Sequence, residues 1–227
     1  MLFRSPAADP QVEKTFECEV TVTARLRYLL ALPEGYDDDK ERRWPLLVFL
    51  HGAGESGDDL SKVKVHGPPK LLASAKRSFP CIVVSPQSPG RGWNPDVLLA
   101  LVDEVCRQER VDEDRIWLTG LSMGGFGTWA LAAARPERFA AIVPICGGGN
   151  PRDAGKIAGL PAWVFHGAKD AVVPLAASQT MVDAVREQGG EPRFTVYPDA
   201  GHDSWTEAYD DPALWEWLFA QARPRRD

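Results

Sequence analysis

Six short apolar runs recur along the chain, and most of the intervals between them leave room for a helix. The runs are residues 46–50, 82–85, 116–119, 141–146, 162–166 and 193–197. Runs without polar alternation are typical of strands that are buried on both faces of a parallel sheet. Strands that alternate with helices predict a three-layer α/β domain, with its chemistry at the carboxyl ends of the strands.

Two further runs near the N-terminus have a different character. Residues 17–23 alternate between polar and apolar side chains, and residues 26–32 are mostly apolar. They predict an antiparallel pair of strands at one edge of the sheet. The mainly parallel sheet is then expected to have about eight strands.

Four segments carry helical signals. One begins at Asn94, a good capping residue, which is followed by a proline suited to the first helical position and by an aspartate that favours the positive helix end. The others are residues 123–134, a segment from about residue 174 to the stop at Gly189, and residues 212–222. These positions predict helices on both faces of the sheet.

Composition limits the possible partners. The 227 residues include 26 basic and 32 acidic side chains, a net charge of −6, which argues against nucleic acid because phosphate binding needs a basic surface. The aliphatic run at residues 97–102 is far too short to span a membrane. The N-terminus shows no secretion signal, so the sequence fits either a cytoplasmic or a mature secreted protein. The four cysteines lack CxxC spacing, and we expect mostly buried thiols.

The strongest signal for chemistry follows the run at residues 116–119. Gly120-Leu121-Ser122-Met123-Gly124 is a G-x-S-x-G sequence between a predicted strand and a predicted helix. Such a turn strains the serine backbone and exposes its hydroxyl, and larger side chains at the two glycine positions would collide. We therefore predict that Ser122 is a nucleophile. The alternative is a glycine-rich structural turn with an idle serine.

A serine hydroxyl needs a base to become nucleophilic at neutral pH. This turn is typical of folds that use the chain order serine, acid, histidine, and only His166 and His202 follow Ser122. His202 lies in a loop just past the last strand and is the predicted base. His166 ends an apolar run, which favours a structural role.

The acid that orients the base is predicted to be Asp170. It follows the run at residues 162–166 through a short turn and so lies at the carboxyl end of that strand. Asp199 and Asp203 are competitors. Each lies within three residues of His202, where a short loop hardly allows a carboxylate to approach the imidazole edge-on.

Two backbone N–H groups should stabilise the oxyanion. One is expected from Met123, next to the nucleophile, and the other from Ala53 in the glycine-rich loop at residues 51–57. A loop of this kind can also hold phosphate, but the sequence patterns of nucleotide-binding loops are absent.

Other side chains near the predicted strand ends are candidates for substrate binding. They are Gly52, Gln87, Trp93, Val172, Val173 and Trp205. For the two tryptophans, packing at the rim or in the core is an equally good interpretation. No H-E-x-x-H sequence and no carboxylate cluster suggests a metal site, so we expect no metal and no cofactor.

Together, residues 50–55, 85–87, 119–125, 166–170 and 201–203 resemble α/β-hydrolase esterases. The resemblance is closest to single-domain carboxylesterases grouped with prolyl-oligopeptidase-like and feruloyl (cinnamoyl) esterases, and it runs from about residue 16 to 219. It implies the α/β-hydrolase fold and a triad of Ser122, Asp170 and His202. It also implies that Ala53 and Met123 are the oxyanion donors.

The same resemblance suggests the domain plan. Residues 16–222 are expected to form the catalytic domain, between an N-terminal extension (1–15) and a basic tail (223–227). Some relatives carry an N-terminal immunoglobulin-like domain, so the chain also fits one module of a longer protein. Cap domains in this superfamily usually follow the strand that here ends near Cys146. Only residues 147–161 are available there, so we expect no cap domain and an open, shallow site.

The predicted function is serine carboxylester hydrolysis through an acyl-enzyme. The expected substrates are small-molecule esters of the short-chain or aromatic, feruloyl type, because an open site favours them over long lipids. A serine peptidase or a thioesterase on the same fold is an alternative, and a non-catalytic binding module is another.

Overall fold

The computed structural model describes residues 14–18, 21 and 23–224. Its strands are β1 (Arg27–Ala31), β2 (Trp44–Leu50), β3 (Ile82–Gln87), β4 (Val111–Leu121), β5 (Ala141–Ile145), β6 (Trp163–Gly167) and β7 (Arg193–Tyr197). Its helices are α1 (Gly67–Ala73), α2 (Pro95–Gln108), α3 (Met123–Ala134), α4 (Ala154–Ile157), α5 (Ala176–Glu187), α6 (Trp205–Asp210) and α7 (Pro212–Phe219). Short 3-10 turns lie at Ala53–Glu55, Lys62–Val65, Pro136–Arg138 and Pro151–Asp153.

The sheet has the strand order β1-β3-β2-β4-β5-β6-β7. Every neighbouring pair is parallel except β1 with β3, so the prediction of a mainly parallel sheet is confirmed. The described residues form seven strands instead of about eight. All six apolar runs coincide with strands. The helices on both sides of the sheet remove both faces of β2, β3 and β5 from water, whereas β7, at the edge of the sheet, is partly exposed.

The edge of the sheet differs from the prediction. β1 pairs antiparallel with β3, from Arg27↔Gln87 to Ala31↔Val83, whereas the sequence suggested residues 17–23 as its partner. Of that segment, residues 17, 18, 21 and 23 are not in a strand, and residues 19, 20 and 22 lie outside the described part of the chain.

Two hydrophobic cores lie on opposite faces of the sheet. Along β2, Leu46 and Val48 point to one face and Leu47 and Phe49 to the other, as the two-residue period of a strand requires. The first core is completed by α2, α3 and α5, and the second by α1, α6 and α7. The predicted three-layer architecture, with helices on both faces, is therefore confirmed.

The connection between β5 and β6 packs against the helical layer. It contains a 3-10 turn and α4, which contacts α3 and α5. Gly149 in this connection lies close to Trp129 and Met181. The segment that could have formed a cap thus lies against α3 and α5. No helix among residues 14–18, 21 and 23–224 is both long and apolar enough to cross a membrane.

The turn from β4 into α3 places Ser122 at the centre of the sheet. Ser122 has φ 53° and ψ −117°, a strained backbone for a non-glycine residue. Its N–H donates to the carbonyl of Ile145 at 2.9 Å. A Cβ on Gly124 would lie 1.9 Å from the carbonyl oxygen of Leu50, and one on Gly120 would lie 2.4 Å from that of Gly124. Only glycine allows this close approach of backbones.

Replacement of Gly124 by alanine should therefore destabilise the fold. The new methyl group meets backbone of β2 that cannot rotate away, so we expect a loss of about 3 kcal/mol or more in the free energy of unfolding. Urea unfolding of Gly124→Ala against wild type measures this. Gly159→Ala is the matched control, since a Cβ there has open space; equal stability of the two variants would contradict the close packing.

Candidate active site

Three loops at the carboxyl ends of β4, β6 and β7 bring Ser122, Asp170 and His202 together. His202 Nε2 lies 2.9 Å from Ser122 Oγ, and His202 Nδ1 lies 2.7 Å from Asp170 Oδ2. This is the order of hydrogen bonds in which an imidazole can take the serine proton while a carboxylate orients the ring. The His202 side chain is 20% exposed, so the chain of groups is open to solvent on one side.

Asp170 is held by several donors. Its side chain is fully buried, and its Oδ1 accepts hydrogen bonds from the backbone N–H groups of Val172 (2.8 Å) and Val173 (2.9 Å). Burial raises the pKa of Asp170, but the hydrogen bonds from His202 and from these N–H groups outweigh it and hold the pKa below its usual range. Asp170 is therefore ionised where it faces His202.

The two competing aspartates are occupied elsewhere. Asp199 is exposed and pairs with Lys169 at 2.6 Å. Asp203 accepts hydrogen bonds from the backbone N–H and the hydroxyl of Thr206 at the start of α6. The structure thus brings Asp170 to the histidine, and neither competitor lies on its Nδ1.

Both predicted oxyanion donors stand at the first position of a helical turn. Ala53 begins the 3-10 turn after β2, and Met123 begins α3. Backbone N–H groups at such positions have no partner within their own helix, so they can bind an anion. Ala53 and Met123 line the same open cleft of about 440 Å³, whose other lining residues are Arg91, Gly92, Trp93, Phe126, Gly127 and Ala130.

Aromatic side chains form the walls of this cleft. Trp93 is half-buried; its indole N–H donates to the carbonyl of His51 at 3.3 Å, and its ring meets the His51 ring edge-on. A Cβ on Gly127 would lie 2.7 Å from the Trp93 ring, so the glycine leaves the space that the indole fills. Phe126 is 42% exposed on the same cleft. The cleft beside the predicted oxyanion donors is thus lined by two aromatic side chains.

Gln87 is buried against the loop after β2, which corrects the expectation that it binds substrate. It is 2% exposed, and its amide donates to the carbonyls of Glu55 (2.7 Å) and Asp59 (2.8 Å). It braces the loop that carries Ala53. Gly52 lies next to the nucleophile, since a Cβ there would be 3.6 Å from Ser122 Cβ.

The remaining predicted binding residues surround the acid and the base. Val172 is 69% exposed, and Val173 is half-buried. Their backbone N–H groups hold Asp170. Trp205 is buried and meets the His202 ring edge-on at 5.2 Å between centroids. Its indole N–H donates to His66 Nδ1 at 3.2 Å, so the ring forms a wall behind the base.

Sequence reasoning missed a link between the oxyanion loop and that wall. His66 Nε2 lies 3.9 Å from Glu55 Oε1, while Nδ1 accepts from Trp205. Glu55 could have been suspected from its place in the glycine-rich loop at residues 51–57. Nothing in the spacing of His66, which precedes α1, indicated that it would reach this loop.

The contact between His166 and Asp170 was also missed. It is fully buried at the end of β6, and its Nε2 lies 3.3 Å from Asp170 Oδ2. The sequence does contain a signal, because His166 precedes Asp170 by four residues across a tight turn. Asp170 thus faces two imidazoles, His166 and His202.

One group of possible metal ligands is found among the described residues: Cys146, Asp170 and His202, with ligand atoms within 4.8 Å of one another. Asp170 and His202 are already joined by a hydrogen bond. Burial raises the pKa of Cys146 to about 12, so its sulfur is protonated and a poor ligand. The arrangement favours the hydrogen-bonded triad over a metal centre.

The thiols should differ in reactivity. Cys18 is exposed, whereas burial raises the pKa of Cys106 to about 11 and of Cys81 and Cys146 to about 12. Because the thiolate is the reactive form, we expect one fast equivalent with a disulfide reagent at pH 8 and the other three after unfolding in guanidinium. Cys18→Ser should remove the fast equivalent. A fast thiol left in that variant would contradict the placement of the other three thiols, of which Cys81 and Cys146 are buried and Cys106 is half-buried.

The profile of the Dienelactone hydrolase family matches residues 94–213, more than half of the chain. A probable feruloyl esterase C of Aspergillus terreus is 29% identical over 169 residues, which cover 72% of this chain and 62% of that protein. Feruloyl esterase C of Emericella nidulans is 29% identical over 189 residues, 77% of this chain and 66% of that protein.

Solved structures give the same fold. A thermostable esterase is 35% identical with a TM-score of 0.75, covering 87% of this chain and 60% of that one. A ferulic acid esterase is 19% identical with a TM-score of 0.65, covering 85% of this chain and 91% of that one, a likeness in fold alone. The architecture is therefore the α/β-hydrolase fold. This chain spans about three fifths of the length of the first relatives it matches.

Proposed function

The chain belongs to the dienelactone hydrolase family, and on that premise we propose that it hydrolyses carboxylic esters by serine catalysis. The observation that carries the proposal is the unbroken chain of hydrogen bonds from Ser122 through His202 to Asp170, at 2.9 and 2.7 Å. A strained turn presents the serine, and an ionised, buried carboxylate orients the histidine. These are the parts that nucleophilic acyl transfer needs.

In the proposed reaction, His202 Nε2 takes the proton of Ser122 as Oγ attacks the ester carbonyl carbon. The negative charge that develops on the carbonyl oxygen is stabilised by the N–H groups of Ala53 and Met123. His202 then gives the proton to the leaving alcohol, and the acyl group stays on Ser122. Water, activated by the same histidine, releases the acid and restores the hydroxyl.

The cleft supports a flat or short acyl group as substrate. It lies next to both oxyanion donors, it is open, and it is flanked by Trp93 and Phe126. An aromatic acyl ring in this cleft would bury apolar surface against two aromatic side chains. The names of the feruloyl esterase relatives agree with this chemistry, and we propose esters of hydroxycinnamate-like acids and of short-chain acids as the substrate class.

Ser122→Ala tests the proposal directly. We expect kcat/KM on p-nitrophenyl acetate and methyl ferulate to fall by about four orders of magnitude or more, because the nucleophile is lost while the fold is kept. Ser78→Ala, an exposed serine away from the cleft, is the matched control and should behave like wild type. Activity that survives in Ser122→Ala would overturn the proposal.

A substrate panel tests the acyl preference. Wild type is assayed on p-nitrophenyl esters from acetate to laurate, on methyl ferulate, on a thioester and on a peptide amide. We expect acetate and ferulate esters to be favoured, and Trp93→Ala to lower kcat/KM for ferulate about tenfold more than for acetate, since one wall of the cleft is lost. A preference for laurate, the thioester or the amide would count against the proposed substrate class.

The pH profile should have an acidic limb. His202 acts as a base only when neutral, so we expect kcat/KM to fall at acidic pH, where the histidine becomes protonated. The pKa of Asp170 lies below its usual range, so Asp170 stays ionised through this region; its contribution to stability is present above about pH 4 and is lost as the pH falls further. A profile that stays flat to pH 4 would contradict His202 as the base.

A further inference from the structure

Asp170 faces a second imidazole, which the mechanism above does not use. His166 Nε2 lies 2.9 Å from the carbonyl oxygen of Val173 and 3.3 Å from Asp170 Oδ2. Both neighbours are hydrogen-bond acceptors, since Asp170 is ionised and a carbonyl cannot donate. His166 Nε2 therefore carries a hydrogen.

The other ring nitrogen is constrained by a serine on α5. His166 Nδ1 lies 2.7 Å from Ser178 Oγ, and the same Oγ lies 2.7 Å from the carbonyl oxygen of Gly147. A hydroxyl has one proton to donate. If Ser178 donates to Nδ1, its Oγ and the carbonyl oxygen of Gly147 lie 2.7 Å apart with no hydrogen between them. If Ser178 donates to Gly147, every contact is a hydrogen bond, and Nδ1 must be the donor to Ser178.

We propose that His166 is a positioning residue that is held as a doubly protonated imidazolium, so that the Oδ2 atom of Asp170 faces two histidines. Nδ1–H donates to Ser178, and Nε2–H donates to the carbonyl of Val173 beside Asp170 Oδ2. The inference rests on the proposed function for its effect on the reaction, but the protonation state of His166 is a property of the fold.

The charges around His166 fit this state. Asp170 and His166 both have fully buried side chains, and a buried charge is stable only when an opposite charge and hydrogen bonds compensate it. Asp170 is the one carboxylate within ion-pair distance of His166 in the described part of the chain. The Cys146 thiol, which follows β5, is uncharged. Ser178 on α5 is neutral, and His202 contacts the same Oδ2 atom of Asp170 that faces His166.

The second histidine has a consequence for the base. An imidazolium at His166 already balances part of the negative charge of Asp170, so the carboxylate favours a protonated His202 less than it would alone. His202 then remains neutral, and able to act as a base, at a lower pH. Removal of the charge at His166 should move the acidic limb of the pH profile upward.

Nuclear magnetic resonance of the full wild-type chain with 15N-labelled histidine reads the protonation state. At pH 7.5 a free imidazole is mostly neutral. We expect His166 to show two protonated ring nitrogens with similar shifts at this pH, and His166→Gln identifies its signals by their loss. A pair with one protonated nitrogen at pH 7.5 would overturn the proposal.

Kinetics give the second readout. His166→Gln keeps a donor at this position without the charge, and Ser178→Ala removes the acceptor at Nδ1; both should move the acidic limb of kcat/KM upward by about one pH unit. Gln179→Ala, on the neighbouring position of α5, is the matched control and should leave the limb in place. If both variants fold and the acidic limbs of their kcat/KM profiles coincide with that of wild type, the positioning role of His166 is refuted.

The two proposals fail in different ways. If Ser122→Ala keeps its activity, the proposed esterase mechanism is wrong, but the ring signals of His166 are still measurable. If Ser122→Ala is inactive and His166 carries one ring proton at neutral pH, the esterase mechanism stands and the positioning role falls.

Discussion

The approach of the β4–α3 turn to the end of β2 is the contact on which the rest of the site depends. The carbonyl of Leu50 lies where a side chain at position 124 would be, so the turn can sit against β2 only with glycine there. That contact puts Ser122 in a strained conformation and points it away from the sheet. It also leaves the first N–H of α3 next to the loop after β2. The same contact therefore positions both the proposed nucleophile and the proposed oxyanion donors.

A second constraint organises the other half of the site. Asp170 is buried; its Oδ1 accepts two backbone N–H groups, and its Oδ2 faces the imidazoles of both His202 and His166. A carboxylate can be buried in ionised form only because so many donors surround it. The same donors fix its position, which in turn fixes the ring of His202. The donors that stabilise the charge of Asp170 therefore also orient the proposed base, His202.

Much of the site followed from local patterns. The G-x-S-x-G turn, the aspartate after one strand and the histidine after the last strand all lie at strand ends, and parallel strands bring their carboxyl ends to one edge. Contacts between distant segments were harder to foresee. Gln87 looked like a substrate contact but braces a loop, because its amide meets carbonyls that only the folded chain brings near. His66 reaches the oxyanion loop from the start of α1, which no spacing encodes.

The sequence by itself determined the layers, the mainly parallel sheet and the nucleophile turn, because hydrophobic period and glycine requirements are local properties of a chain. Tertiary structure decided the partner of the edge strand, which is β3, and the walls of the cleft at Trp93 and Phe126. It also decided that His166 meets Asp170 rather than only filling the core. These three features depend on contacts between segments that are distant in the sequence. Such contacts form only when the whole chain packs, so local patterns do not specify them.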